Sequence, residues 1–230
     1  MRLDKFITQA TNLTRSQAKK MISQKRVLVE GKIVTEAKIK IVQNQEIKLD
    51  SRVLSLSLKR YIMLNKPAGY ICSTQDEVHP SALKLLDSSS MKDLHFAGRL
   101  DVDTTGLVLI SDDGQWTHLV TSPKNKCHKI YRVVTDKVID NSQIEQLTKG
   151  VLLKGESKPT LPASVQLINS NEIDLTLYEG RYHQVKRMLA AVGNHVISLH
   201  RLQIGEIKLG GLNKGSWKVL SEREISSFKS

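Results

Sequence analysis

The stretch from Ala97 to Gly114, Ala-Gly-Arg-Leu-Asp-Val-Asp-Thr-Thr-Gly-Leu-Val-Leu-Ile-Ser-Asp-Asp-Gly, constrains this chain more than any other. Four consecutive apolar residues, Leu107 to Ile110, follow a glycine and stop at an Asp-Gly turn, the pattern of a short buried strand. The charged segment before them is then a loop held against a core strand. A scaffold fixes and partly desolvates a carboxylate in such a place, because the strand positions the loop that precedes it. Asp101 is therefore the first candidate for chemistry. It also has a plainer reading, since Asp in a Gly-flanked turn ordinarily serves as a turn former.

With 230 residues the chain can bury a good core, as one large domain or a large one with a small one. No run approaches the eighteen or so apolar residues of a membrane helix, and Met1-Arg2-Leu3-Asp4-Lys5 lacks the apolar core of a signal peptide. A soluble, cytoplasmic protein with no membrane partner is the expectation. Two cysteines, Cys72 and Cys127, are too few for a disulfide framework and lack the spacing of a zinc knuckle. The net charge of +12 is the strongest bulk signal, and a polyanion is the commonest reason for it. Residues 1 to 60 carry fourteen Lys and Arg against five Asp and Glu, which leaves +3 for the rest. The basic part is a separable front end.

In that front end, residues 2 to 10 read as a helix with Leu3, Phe6, Ile7 and Ala10 inward and Arg2 and Lys5 toward solvent. Thr14-Arg15-Ser16-Gln17 has the form of a capping box and opens a second helix, which carries Arg15, Lys19 and Lys20, with Lys25 and Arg26 just beyond. Val27 to Val34 reads as a tight hairpin turning at Glu30-Gly31, and Ile39, Ile41, Ile47 and Leu49 point to further short strands. Asp50 to Lys59 is a linker or an edge strand. A larger domain begins at Arg60, with a strand stopped by Lys66-Pro67-Ala68-Gly69. Helices are expected over Ala82 to Leu86, from Gly114 to near Pro123, over Asn141 to Gly150, and from Ser221 onward behind a second capping box. A basic run, Lys124 to Lys129, precedes a strand over Ile130 to Val134. Ala163 to Leu167 and Ile173 to Tyr178 form a hairpin, and strands recur at Val196 to Leu199 and Trp217 to Leu220. Between them, Val185, Met188, Leu189 and Val192 form one face of a helix stopped by Gly193. Arg181, His183, Lys186 and Arg187 cluster at its start, where they bind phosphate or pair with a carboxylate. Taken alone, Tyr131 reads as a packed strand aromatic and His183 as a hydrogen-bonded structural residue. Glycine patterns of nucleotide sites and a nucleophile elbow are absent.

Two small basic helices followed by a β-ribbon resemble the S4-type RNA-binding module. Gly98-Arg99-Leu100-Asp101 with Thr104-Thr105-Gly106-Leu107 resembles the catalytic motif of the RNA pseudouridine synthases of the RsuA type. Lys66-Pro67-x-Gly69, Lys129-x-Tyr131 and Arg181-Tyr182-His183-Gln184-Val185-Lys186-Arg187-Met188 are similar to further elements of that family, so the resemblance spans the chain. It implies an α+β protein. A small S4-like domain over residues 1–59 would precede a catalytic domain over 60–230, built on a mixed, mainly antiparallel sheet with flanking helices. The implied activity is that of an isomerase forming the pseudouridine at position 516 of 16S ribosomal RNA, on free RNA or a small-subunit assembly intermediate, by a monomer.

The residue roles follow from the same resemblance. Asp101 either attacks the sugar or takes the C2′ proton, and a carboxylate in a closed pocket stays ionised only beside a cation, here Lys186 with Arg187 as second choice. Tyr131 lies against the uracil and helps remove the C5 proton, although a free phenol has a pKa of about 10. Arg99, Lys129, Arg181, His183, Gln184 and Arg187 would contact RNA, together with Arg2, Lys5, Arg15, Lys19, Lys20, Lys25 and Arg26 in the front end. No metal or organic cofactor is expected, because an isomerisation has no redox change and loses no group. Three alternatives stand beside this reading: a synthase acting on large-subunit RNA, a non-catalytic ribosome-assembly module, and a metal-dependent nuclease built on Asp101-x-Asp103 and Asp112-Asp113.

Overall fold

The structure is a computed structural model describing residues 1–11, 13–42, 45–55, 59–86, 93–125 and 127–228. Residues 56–58 of the expected linker and Lys126 of the basic run lie outside the described residues. The chain forms two compact units, Met1–Leu58 and Lys59–Ser230.

In the first unit, α1 (Leu3–Ala10) buries Leu3, Phe6 and Ile7, and α2 (Arg15–Ser23) buries Ala18 and Ile22 against the same cluster. The capping box closes as expected: the Thr14 hydroxyl accepts the Gln17 amide while the Gln17 side chain accepts the Thr14 amide. Strands β1 (Val27–Val29), β2 (Lys32–Ile33), β3 (Ile47–Leu49) and β4 (Arg52–Leu54) form an antiparallel sheet of order β2-β1-β3-β4. Both hairpins turn through two residues with positive φ, Glu30-Gly31 and Asp50-Ser51, the conformation whose twist matches that of paired strands. The second turn lacks glycine, and its Asp50 carboxylate is gripped by the Arg26 guanidinium. Of the expected strand residues, Ile39 and Ile41 lie outside the strands, where Ile41 is buried in the same core.

The second unit is built on β5 (Tyr61–Lys66), β6 (His95–Phe96), β7 (Thr105–Ser111), β8 (Lys129–Thr135), β9 (Ser164–Asn169), β10 (Glu172–Leu177), β11 (Val196–Ile204), β12 (Ile207–Lys208) and β13 (Trp217–Val219). They form one sheet of order β13-β5-β7-β11-β8-β10-β9, with β6 beside β7 and β12 beside β11. The pair β7·β11 is parallel, and the other described pairs are antiparallel. Strand β7 is buried from Gly106 to Ser111, which is why its apolar run is continuous rather than alternating.

Helix α3 (Gly114–Thr121), started by the Asp113 carboxylate, and α6 (Glu222–Ser226) lie with one core cluster around Trp116. Helices α4 (Asn141–Lys149) and α5 (Gln184–Ala191) bury their apolar faces in another with β8 and β10. A 3-10 turn over Ala82–Leu85 stands where the short helix was expected. At Gly106, φ is +105° and an added Cβ would stand 2.4 Å from the Arg201 carbonyl oxygen of β11. Only glycine allows the parallel strands to approach there, at the point where the Asp101 loop enters the sheet.

Candidate active site

The loop Gly98 to Thr104 is held from beneath. Lys66 is wholly buried at the end of β5, and its ammonium donates to the carbonyls of Tyr70 (2.8 Å), Pro67 (3.0 Å) and Val102 (3.4 Å). Burial pushes the Lys66 pKa down, but three carbonyl oxygens satisfy its three N–H groups. The Gly69 amide donates to the same Val102 carbonyl at 2.8 Å, and the Leu100 amide points at the Cys72 sulfur. The Lys66-Pro67-x-Gly69 segment, an ordinary turn when its residues are read without the family resemblance, is thus the tether of the Asp101 loop.

Above it opens a cleft of about 880 Å³, lined by the 97–104 loop, by Lys129, Tyr131 and Arg201 from the sheet, and by residues 179–186. The Asp101 side chain is 29% exposed. One of its oxygens stands 3.2 Å from His183 Nε2 and the other 3.4 Å from Lys186 Nζ. Lys186 makes its shorter bonds to both oxygens of Asp103, at 2.7 and 2.8 Å. Partial burial works against the Lys186 ammonium, yet the Asp103 bonds and the Asp101 charge outweigh it and raise its pKa. The Lys186 bond in turn holds the Asp103 carboxyl below the usual range. One cation therefore serves two carboxylates, and Asp103, which sequence reasoning weighed only as a metal ligand, is its closer partner.

Tyr131 on β8 faces Arg201 on β11 across a strand pair. The Arg201 guanidinium stands 5.9 Å from the Tyr131 ring centroid, its Nη1 is 3.4 Å from both the Tyr131 hydroxyl and the Arg99 carbonyl, and its Nε donates to the Leu107 carbonyl at 2.7 Å. Arg201 is 3% exposed, and its Nη2 has no hydrogen-bond partner among the described residues. Sequence reasoning missed it: the strand was expected to end at Leu199, because His200, Arg201 and Gln203 break the apolar pattern.

The other candidates divide. Arg99 is exposed at the cleft. Lys129 Nζ donates to the Cys127 carbonyl at 2.6 Å, and burial lowers its pKa. Arg181 and Arg187 both grip Glu156, Arg181 also bonds the Lys158 and Pro159 carbonyls, and Arg187 bonds those of Lys154 and Tyr182. Gln184 accepts the Arg181 amide and donates to Glu179. Arg181 and Arg187 clamp the start of α5, and with it His183 and Lys186, to the 154–159 segment, while Gln184 ties it to Glu179. In the first unit Arg2 and Arg15 bond the buried Asp4, Arg26 bonds Asp50, and Lys5, Lys19, Lys20 and Lys25 are exposed. Asp112 and Asp113 sit at the opposite end of β7 from Asp101 and Asp103, engaged by Arg60 and by Tyr61 and the α3 start respectively.

Residues 60–191 match the RNA pseudouridylate synthase family, and residues 1–47 match the S4 domain. The chain belongs to the RNA pseudouridylate synthase family. This synthase is 48% identical over 229 residues to the ribosomal small subunit pseudouridine synthase A of Escherichia coli strain K12, covering 99% of each chain. It is 47% identical over 229 residues, again with 99% of each covered, to the protein of that name from Vibrio cholerae. A solved structure described as that of a pseudouridylate synthase is 44% identical and superposes with a TM-score of 0.73 over 99% of both chains. The synthase is an isomerase of the RsuA type with an S4 domain and a mixed α+β catalytic fold, as its motifs implied. No described helix is long and apolar enough to cross a membrane.

Proposed function

We propose that the chain converts one uridine of 16S ribosomal RNA, at position 516, to pseudouridine, with Asp101 as the residue that starts the reaction. The observation that carries this reading is the Asp101 carboxylate, held by a rigid loop in an open cleft within 3.4 Å of a lysine and 3.2 Å of a histidine. The reaction breaks the N1–C1′ bond, turns the detached uracil in place, joins C5 to C1′, and moves the C5 proton off as N1 gains one. Asp101 begins it by attack on the sugar or by removal of the C2′ proton. Lys186 offsets the charge there, and Tyr131, steadied by Arg201, lies against the uracil. Arg99, exposed at the cleft, meets the flanking phosphate or fills the place of the extruded base.

The chemistry is redox-neutral and self-contained, so the reading requires no cofactor. The relatives named for the small ribosomal subunit and the basic first unit support 16S RNA, free or in an assembly intermediate, as partner of a cytoplasmic monomer. Asp101→Asn is expected to abolish pseudouridine formation while RNA affinity stays within several-fold, read by mapping modified RNA from cells carrying the variant. Modification at the normal level would end the assignment and favour a non-catalytic assembly role. Separate assays on each ribosomal RNA decide between small- and large-subunit substrates. The nuclease reading loses its basis, because its two aspartate pairs lie at opposite ends of one strand.

A further inference from the structure

Tyr182 is 71% exposed, yet it is not a loose surface side chain. Its ring stacks on the imidazole of His183, with centroids 3.8 Å apart and planes inclined by 20°. Its carbonyl accepts a bond from Arg187 at 3.1 Å, and the residues on either side are fixed. Arg181 is clamped to Glu156 and Gln184, and His183 is held at a left-handed φ of 47°. His183 Nε2 in turn stands 3.2 Å from Asp101. A flat aromatic surface, 71% exposed despite its stacking on His183, therefore waits one imidazole away from the carboxylate, at the lip of the cleft. The chain has only ten Phe, Trp and Tyr residues, and among the described ones Tyr182 is the most exposed. An isolated exposed ring carries no message. A ring whose backbone and stacking partner are already ordered loses little further freedom when a ligand stacks on it.

We propose that Tyr182 is a stacking platform for the unpaired base next to the uridine that enters the cleft, an inference that rests on the reading of the cleft as a uridine site in RNA. Drawing one nucleotide out of a helix leaves its neighbour without a stacking partner. An aromatic side chain replaces that partner without demanding a particular base. The test uses the full chain and a small-subunit RNA hairpin carrying 2-aminopurine at the 5′ or the 3′ neighbour of the target, in separate molecules. Wild type and Tyr182→Phe are expected to quench the probe at one of the two positions, and Tyr182→Ala at neither. RNA affinity should fall about 5- to 100-fold in Tyr182→Ala, as for loss of one stacked base. An abasic site at the quenched position should weaken wild type by the same factor and leave Tyr182→Ala unchanged. Equal quenching and affinity in wild type and Tyr182→Ala, or equal sensitivity of both to the abasic site, would overturn the platform. Pseudouridine formation by wild type on the same RNA is scored separately. Its absence would withdraw the uridine reading, while the fluorescence and affinity still decide whether a base stacks on Tyr182.

Discussion

At the level of single residues, the site turns on how one ammonium is divided. Lys186 bonds Asp103 at 2.7 and 2.8 Å and stands 3.4 Å from Asp101, so Asp103 orients the cation that stands beside Asp101. Removing the cation leaves two carboxylates of one loop without the ammonium they share, whereas Asp103→Asn keeps an oxygen acceptor for Lys186. Lys186→Gln is therefore expected to lower the single-turnover rate by about 10²-fold, the scale for losing one preorganised electrostatic partner, and Asp103→Asn by about tenfold or less. Equal losses in the two variants would place both side chains in one undivided role. Gly106 is the other decisive residue. Its Cβ-free backbone lies against the Arg201 carbonyl at positive φ, so Gly106→Ala should cost at least about 2 kcal/mol in urea unfolding, from strain and from forcing β7 and β11 apart. A variant within 0.5 kcal/mol of wild type, about the usual spread for a surface change, would mean that the seam relaxes freely.

At the level of elements, local chemistry was readable wherever it acts between near neighbours. The capping boxes at Thr14–Gln17 and Ser221–Glu224 formed because both partners lie within one turn, and Gly150 and Gly193 end their helices at positive φ. The Asp50-Ser51 turn was not readable, since neither residue demands positive φ and its clamp comes from Arg26, 24 residues away. The first helix combines a near partner with a distant one. Asp4 is buried in the first turn of α1, and the bonds from Arg2, reinforced by Arg15 from α2, hold its carboxyl at about 2. A carboxyl whose folded pKa lies below its unfolded value stabilises the folded state above the unfolded pKa, and this contribution disappears as pH falls through the folded one. The Met1–Leu58 unit should accordingly lose stability between about pH 4 and pH 2, followed by amide exchange in α1 and α2. Asp4→Asn should be less stable at pH 7 and lack that acid limb. An unchanged limb would assign the acid sensitivity to other groups.

At the level of the whole molecule, charge is divided between two units: Met1–Leu58, a quarter of the chain, carries twelve Lys and Arg against five Asp and Glu, +7 of the +12. In α2, Lys19 and Lys20 are exposed, whereas Arg26 is engaged with Asp50. Replacing Lys19, Lys20 and Arg26 should weaken RNA binding and flatten its salt dependence by up to about 0.7 to 0.9 log units per lost phosphate contact, with the lysines carrying most of the change. A salt slope equal to that of wild type would mean that this face does not meet the RNA backbone. What the amino-acid sequence determined by itself was everything carried by adjacency or period: the amphipathic helices, their caps, the buried run of β7, the separable basic front end, and Asp101 at the mouth of a core strand. Tertiary structure alone decided who stands beside Asp101. Lys66 beneath its loop, Asp103 across from Lys186, and Arg201 against Tyr131 are brought together by strand order and by a parallel seam that only Gly106 permits. A side chain's neighbours across a sheet depend on which strands pair and in what register, and no local spacing records that choice.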